Sequence, residues 1–359
     1  MGVFVFMPLV LPLTAWPVAR LAEQHLHPRT ATRLLTVMAA VLALCSTVCL
    51  GLVMVVGTAQ LPGNPLPDGW SDPEVRAAVP YDEIVGKAAI PALCAVLVAC
   101  GRTLWRHARV RSRAHRALAG LPDTEVAVLP DAVPYAYALP GATRVGAGRR
   151  AGGVLRGGLR RHRGDAPGAG VGSRRGAGAA RGDASRPARG PRAGRVVVTT
   201  GMLDRLRSAE RRALFAHERA HLAARHDRFL LTVQLAARAN PFLRPLRTAV
   251  AYTAERWADE EAARAIGSRR TVARAIGTAA LVSRGTPAPT LAGLAAPGPV
   301  PRRVAALLGP APAVRTWPSV FTSVGLAAWG AAAGTAVSAM SSANSAVTMV
   351  LILHAATPL

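Results

Sequence analysis

Two histidines and a glutamate stand in the order His217-Glu218-Arg219-Ala220-His221, an HExxH motif. Four residues advance an α-helix by about 400°, so both imidazoles project from one face and can bind one tetrahedral Zn²⁺. Glu218 is badly placed to bind the metal but can accept a proton from an attacking water. The alternative is a surface helix that carries these residues without a metal. The motif favours metal-assisted hydrolysis.

The third metal ligand must come from elsewhere in the chain. The metzincin pattern needs Gly at 224 and His at 227, where this sequence has Ala224 and Asp227, so that class is excluded. A helix predicted after residue 241 carries Glu255 and Asp259 one turn apart. Glu255 can complete a His₂Glu set, and Asp259, the second catalytic candidate, can accept the other N–H of a ligating imidazole.

The carboxylates of this second helix also have a simpler interpretation. Glu260 and Glu261 follow Asp259 directly, as on an ordinary solvated acidic face. Only the combination with HExxH makes Glu255 and Asp259 specific candidates.

Short strands and one long helix are predicted to position the motif. Residues 125–129, 135–139 and 195–200 have strand character, the last being β-branched. Ser208 is the predicted N-cap of a helix that continues to about residue 225. The expected order is three strands followed by the HExxH helix.

Residues 142–193 interrupt this order. The segment holds 13 Arg, two Asp and many Gly, Ala and Pro, so it cannot bury enough apolar surface to fold. We predict a disordered insertion, with phosphate or anionic-lipid contact and a shifted reading frame as alternatives.

Apolar segments predict about four membrane spans, at residues 3–19, 34–57, 84–101 and 320–340. After the third span, six Arg without an acid lie between residues 102 and 116. The positive-inside rule then places residues 102–315 in the cytoplasm and both termini outside. The predicted domains are a membrane region (1–101), a soluble domain (102–315) and a last span with a short tail (316–359).

Charge and hydropathy limit the partners. The chain of 359 residues has 44 Lys+Arg against 19 Asp+Glu, a formal charge of +25, yet 51% hydrophobic residues. Aromatic residues make up only 4%, which argues against a surface that stacks bases. A lipid bilayer is an expected partner and nucleic acid is not, although an Arg-rich binder with salt-dependent affinity is an alternative.

The HExxH motif followed 34 residues later by Glu-x-x-Ala-Asp resembles the gluzincin membrane peptidases of the M48 and M56 type. The resemblance covers about residues 120–310, including YAYALPG (135–141) and GRVVVTTG (194–201), which match the hairpin before the metal helix. Three spans before the domain and one after it is the layout of the M56 group, the BlaR/MecR-like sensor peptidases. Those sensors carry a large exterior domain after the last span, so direct β-lactam sensing is not expected of this chain.

The resemblance implies residue roles and a substrate. His217, His221 and Glu255 would bind Zn²⁺, Glu218 would be the base, and Asp259 would hold His217. Arg303 would be an oxyanion or structural residue. The substrate would be a cytoplasmic protein, such as a BlaI-type winged-helix repressor, or the peptidase itself.

The predicted fold is therefore α+β, a multi-pass cell-membrane protein with a cytoplasmic gluzincin-type zinc peptidase domain between spans three and four. A catalytically silent zinc-binding signalling or scaffold protein is the main alternative, because the insertion splits the substrate-binding hairpin.

Overall fold

The computed structural model describes residues 10–59, 61, 66–67, 70, 82–122, 124–141, 194–284, 299–312, 317–355 and 357. In chain order its elements are α1 (Ala15–His25), α2 (Pro28–Ala59), α3 (Asp82–Ala117), β1 (Val126–Leu129), β2 (Ala136–Leu139), β3 (Arg195–Thr199), α4 (Thr200–Arg205), α5 (Ser208–Ala224), α6 (His226–Ala239), α7 (Arg244–Ile266), α8 (Arg269–Val282), α9 (Val300–Leu308) and α10 (Ser323–Ala355). Short 3₁₀ helices, Leu11–Thr14 and Pro241–Leu243, precede α1 and α7. The predicted insertion, 142–193, lies outside the described residues.

Three described helices are long and apolar enough to cross a membrane: α2, α3 from Ile84 onward, and α10. The second and third predicted spans lie within α2 and α3. The fourth begins at Ser323 and continues to Ala355, so the apolar run after residue 340 extends this helix. The first predicted span stays a prediction, because residues 3–9 lie outside the described part and the rest forms a 3₁₀ turn and the start of α1.

The first half of α2 is embedded among helices of the HExxH region. It shares one apolar core with α1, α6 and the start of α7; the buried members are Ala15, Ala19, Ala22, Leu26, Ala31, Leu35, Ala39, Leu42, Ala43, Val233, Ala236, Leu243, Leu246, Ala249 and Val250. Two buried hydrogen bonds reinforce this contact. The Thr32 hydroxyl donates to the Thr253 hydroxyl at 2.9 Å, and the Asn240 amide donates to Ser46 at 3.0 Å. The candidate membrane helix α2 therefore packs directly against α7, which carries Glu255.

The sheet has three strands in the order β1-β3-β2. The central strand β3 is apolar on both faces, as its run of valines predicts, and Val196, Val197 and Val198 are fully buried. It pairs parallel with β1 and antiparallel with β2, with Leu139 opposite Arg195. The two strands that flank residues 142–193 are thus neighbours, and in the described sheet the second edge of β2 is unpaired.

A second core fixes the relative positions of the helices behind the motif. It joins α5, α7, α8 and α9 mainly through alanines, which allow close approach of the backbones; the buried members are Ala213, Ala262, Ala263, Val272, Ala273, Ala275 and Leu307.

Candidate active site

The N-cap of the HExxH helix α5 lies one residue earlier than predicted. Arg207, not Ser208, holds the N-cap position, and its backbone N–H donates to the Glu210 carboxylate at 2.9 Å. Glu210 therefore accepts the N–H of the N-cap residue from the third helical position, which is one half of a capping box. The helix ends at Ala224. The next residue, Arg225, has a left-handed backbone (φ 55°) that turns the chain directly into α6.

His217, His221 and Glu255 lie together at the centre of the site. The Nε2 atoms of the two histidines are 3.1 Å apart, and each lies 3.5 Å from an oxygen of Glu255. Ligands at 2.0–2.1 Å from a tetrahedral Zn²⁺ are separated by about 3.3 Å. The distances are therefore close to the ligand separations of a zinc tetrahedron, although the two histidines approach different oxygens of Glu255. The donor set of two imidazoles and a carboxylate fits the metal.

The helix α7 brings the carboxylates to the histidines. Asn240 caps the preceding 3₁₀ helix by accepting the Phe242 N–H at 3.0 Å. Glu255 and Asp259 are 8% and 0% exposed, which overturns the alternative of a solvated acidic face for these two. Glu260 is also buried.

Arg303 neutralises the buried carboxylates. Its Nε and Nη2 donate to the two oxygens of Asp259 at 2.8 and 2.6 Å, and its Nη1 lies 2.8 Å from Glu255. Burial by itself would raise the pKa of Asp259, but the hydrogen bonds from Arg303 and the adjacent His217 outweigh it and lower the pKa. Of the two roles considered for Arg303, this arrangement favours the structural one.

Asp259 also contacts the first histidine of the motif. Its Oδ1 lies 3.0 Å from Nδ1 of His217, although the ring N–H is not aimed well enough at the oxygen for a hydrogen bond. Burial alone would lower the pKa of His217, but Asp259 and Glu255 override it and raise the pKa to about 10. By contrast, burial lowers the pKa of His221 to about 4. The two histidines therefore differ in charge at neutral pH when no metal is bound.

Glu218 is buried beside the three candidate ligands and lines the cleft. Burial raises its pKa to about 7, which the His217 charge, the Arg303 charge and a hydrogen bond from the Ala138 backbone partly oppose. A carboxylate with a pKa near 7 can both accept and return a proton.

The sequence prediction did not include His226, the first residue of α6. Its Nδ1 lies 2.8 Å from Nδ1 of His221, and its side chain is 1% exposed. A histidine five residues after HExxH carries no general signal, because α5 ends before it. Only the turn at Arg225 returns it to the motif.

A cleft of about 330 Å³ leads to these residues. One wall is β2 with the preceding residues 134–135, another is formed by apolar side chains of α8, and the third by α6 with His107 and Arg111 of α3; apart from the ionisable groups, the lining is mostly apolar. The arrangement can hold an extended chain between a strand edge and the HExxH helix.

Comparison with known proteins agrees with this geometry. Residues 188–239 match the sequence model of peptidase family M48, a family whose members are generally zinc-dependent. The match contains β3, α5 and α6 and ends before Glu255 and Asp259. Searches of curated proteins and of solved structures gave no significant match.

The match and the helices support a membrane-associated, M48-type metallopeptidase. They do not distinguish the BlaR/MecR-like layout, which stays a prediction.

Proposed function

We propose that this protein is a membrane zinc endopeptidase that hydrolyses peptide bonds of a protein substrate. The observation that carries the proposal is the triangle of His217, His221 and Glu255, with Glu218 beside it in a cleft. Zn²⁺ held there would supply Lewis-acid chemistry, polarising the scissile carbonyl and lowering the pKa of the attacking water. Asp259 contacts His217 and Arg303 contacts Glu255, so these two residues would orient the ligands.

Glu218 is the general base in this proposal. Its carboxylate accepts the proton of the attacking water and delivers it to the nitrogen of the leaving amine. In the metal-free site burial raises the pKa of Glu218 to about 7, and a cation bound beside it would lower this pKa and favour the carboxylate form that accepts the proton.

The unpaired edge of β2 is the proposed binding surface for the substrate backbone. Residues 135–138 line the cleft, and the other edge of β2 is already paired with β3. An extended peptide can add to this edge through main-chain hydrogen bonds while its side chains enter the apolar cleft.

The proposed orientation places this cleft on the cytoplasmic side. Arg102, Arg106, Arg109, Arg113 and Arg116 follow the apolar part of α3 and are exposed, as expected for the positively charged inner side. From the resemblance described above, the proposed substrate is a cytoplasmic protein such as a winged-helix repressor, or the peptidase itself, in signal transduction.

The test uses the purified full-length protein with Glu218→Gln and, as a matched control, Glu125→Gln on the exposed surface. We expect Glu218→Gln to keep zinc but to lose about 10²–10⁴-fold in cleavage of a casein-like or repressor substrate, and Glu125→Gln to keep both. Undiminished cleavage by Glu218→Gln would refute the base. A wild-type protein that binds zinc and cleaves nothing would favour the silent scaffold.

A further inference from the structure

His226 makes a contact with a proposed metal ligand that the peptidase mechanism above does not use. The Nδ1 atoms of His221 and His226 are 2.8 Å apart, which is hydrogen-bonding distance. One of the two nitrogens must therefore carry a proton and the other must accept it.

The proposed metal site decides which nitrogen carries the proton. His221 presents Nε2 to His217 and Glu255, so a metal bound there leaves the proton of this ring on Nδ1. That Nδ1–H then points at Nδ1 of His226, which must be the acceptor. The reverse arrangement would put a proton on Nε2 of His221, where it would block the metal.

The surroundings of His226 hold its ring in one orientation. With Nδ1 accepting, the proton of His226 lies on Nε2, which is buried and has no hydrogen-bond partner within the described part of the chain, so the contact with His221 must outweigh the cost of this unpaired N–H. The ring of His226 packs against Trp257 at 4.7 Å and Phe229 at 6.4 Å between centroids, which restricts rotation.

The packing around His226 extends to the membrane helix α2. The guanidinium groups of Arg29 and Arg33 lie 5.6 and 5.4 Å from the centroid of the Trp257 ring. The acceptor is thus held by α7 and, through Trp257, by the first turns of α2.

We propose that His226 is a positioning residue that fixes the tautomer and orientation of the metal ligand His221 by accepting its Nδ1–H. This inference rests on the proposed zinc site and assigns to a neutral histidine the task that carboxylates and backbone carbonyls usually perform. The Nδ1 atoms of the two motif histidines then have different partners: the Asp259 carboxylate lies beside Nδ1 of His217, and His226 accepts the Nδ1–H of His221.

Three substitutions separate hydrogen bonding from packing. In Asn, the side-chain oxygen is attached to the same carbon position as Nδ1 of His, so His226→Asn can keep the acceptor. In Gln the oxygen lies one carbon farther out, at the place of Nε2. His226→Phe keeps an aromatic ring beside Trp257 and removes the acceptor. His25→Asn, an exposed histidine on α1, controls for adventitious metal binding.

The primary readout is zinc affinity of the full-length protein in detergent, measured by competition with a chromophoric chelator. We expect His226→Phe and His226→Gln to bind zinc about 10–100-fold more weakly than wild type, and His226→Asn and His25→Asn to remain close to it. The visible spectrum of the Co²⁺-substituted protein is a second readout. We expect it to change in His226→Phe and His226→Gln and to be retained in His226→Asn.

The outcomes are distinguishable from a failure of the proposed function. Wild-type protein that binds no zinc overturns the zinc site itself, whereas zinc binding without cleavage leaves this inference intact. Equal zinc affinity and equal Co²⁺ spectra for wild type and His226→Phe would overturn the role of His226. Equal weakening by His226→Asn, His226→Gln and His226→Phe would also overturn it, because keeping an acceptor at the place of Nδ1 would then make no difference.

Discussion

His217 lies beside two carboxylates, and this contact would make zinc binding at the proposed site a proton-exchange reaction. Without metal, Asp259 and Glu255 raise the pKa of His217 to about 10 against its burial, so the ring is protonated at neutral pH. Zinc requires the deprotonated ring, whereas His221, with a pKa of about 4, is already neutral.

We therefore predict that zinc binding near pH 8 releases about one proton, and that apparent affinity rises about tenfold per pH unit until the pH reaches the pKa of His217. Titration calorimetry in two buffers of different ionisation enthalpy measures this release. An apparent binding enthalpy that is the same in both buffers would contradict the prediction.

Arg303 is the counter-charge of the two α7 carboxylates. Arg303→Met should destabilise the zinc-free protein by about 3–5 kcal/mol, because Asp259 and Glu255 would remain buried with less compensation. Zinc should restore part of the loss, since the metal supplies positive charge at the same place.

Arg302→Met is the matched control, on the same helix. Arg302 is exposed, pairs with Glu23 at 3.0 Å and lies 4.2 Å from the centroid of the Tyr252 ring, so it should contribute less than Arg303, about 1–2 kcal/mol. Unfolding in detergent, with and without zinc, compares the two variants. Equal losses in both, unchanged by zinc, would contradict the assigned role of Arg303.

At the scale of elements, two candidate membrane helices, α2 and α3, meet at a pair of glycines. A Cβ at Gly57 of α2 would lie 2.2 Å from the carbonyl carbon of Gly86 on α3, and one at Gly86 would lie 2.6 Å from Gly57 Cα. These contacts leave no space for a methyl group, which is how small residues allow close helix packing in membranes.

Gly86→Ala should therefore lower stability by roughly 1–3 kcal/mol, the usual range for overpacking. Gly101→Ala on the same helix is the control, because nothing lies within 4 Å of that position, and it should be neutral or stabilising. Thermal unfolding in detergent compares the pair. The contact would be unimportant if Gly86→Ala unfolded at the same temperature as Gly101→Ala.

At the scale of the whole molecule, residues 142–193 separate two strands that are paired. Deleting this segment leaves Pro140, Gly141 and Gly194 between Leu139 and Arg195, which face each other in the register. Three residues rich in glycine can close a β-hairpin.

We predict that the deletion variant folds, binds zinc as tightly as the full chain and cleaves at least as well. Zinc stoichiometry, thermal unfolding and a casein-like assay check this. A variant that purifies without zinc or aggregates would show that the segment is needed for the hairpin. Gain of cleavage over an inactive full chain would mean that the insertion is inhibitory.

The sequence by itself determined the local features of this protein. The i, i+4 spacing places His217 and His221 on one helix face in any α-helix, the valines of β3 specify a buried strand, and uncharged runs specify α2 and α10. These features depend on neighbouring residues alone, so pattern and composition are sufficient.

Only the tertiary structure decided which distant groups meet. The sequence could not tell whether Glu255 and Asp259 are solvated, because their burial depends on α9 bringing Arg303 to them. It gave no sign of His226, whose position depends on a left-handed turn at Arg225. The sequence placed α2 in a membrane region apart from α6 and α7, although these three helices bury side chains in one core. Hydropathy does not distinguish a lipid-facing side chain from one that packs on protein. Such contacts join residues far apart in the chain, and their energies arise only when the helices have packed.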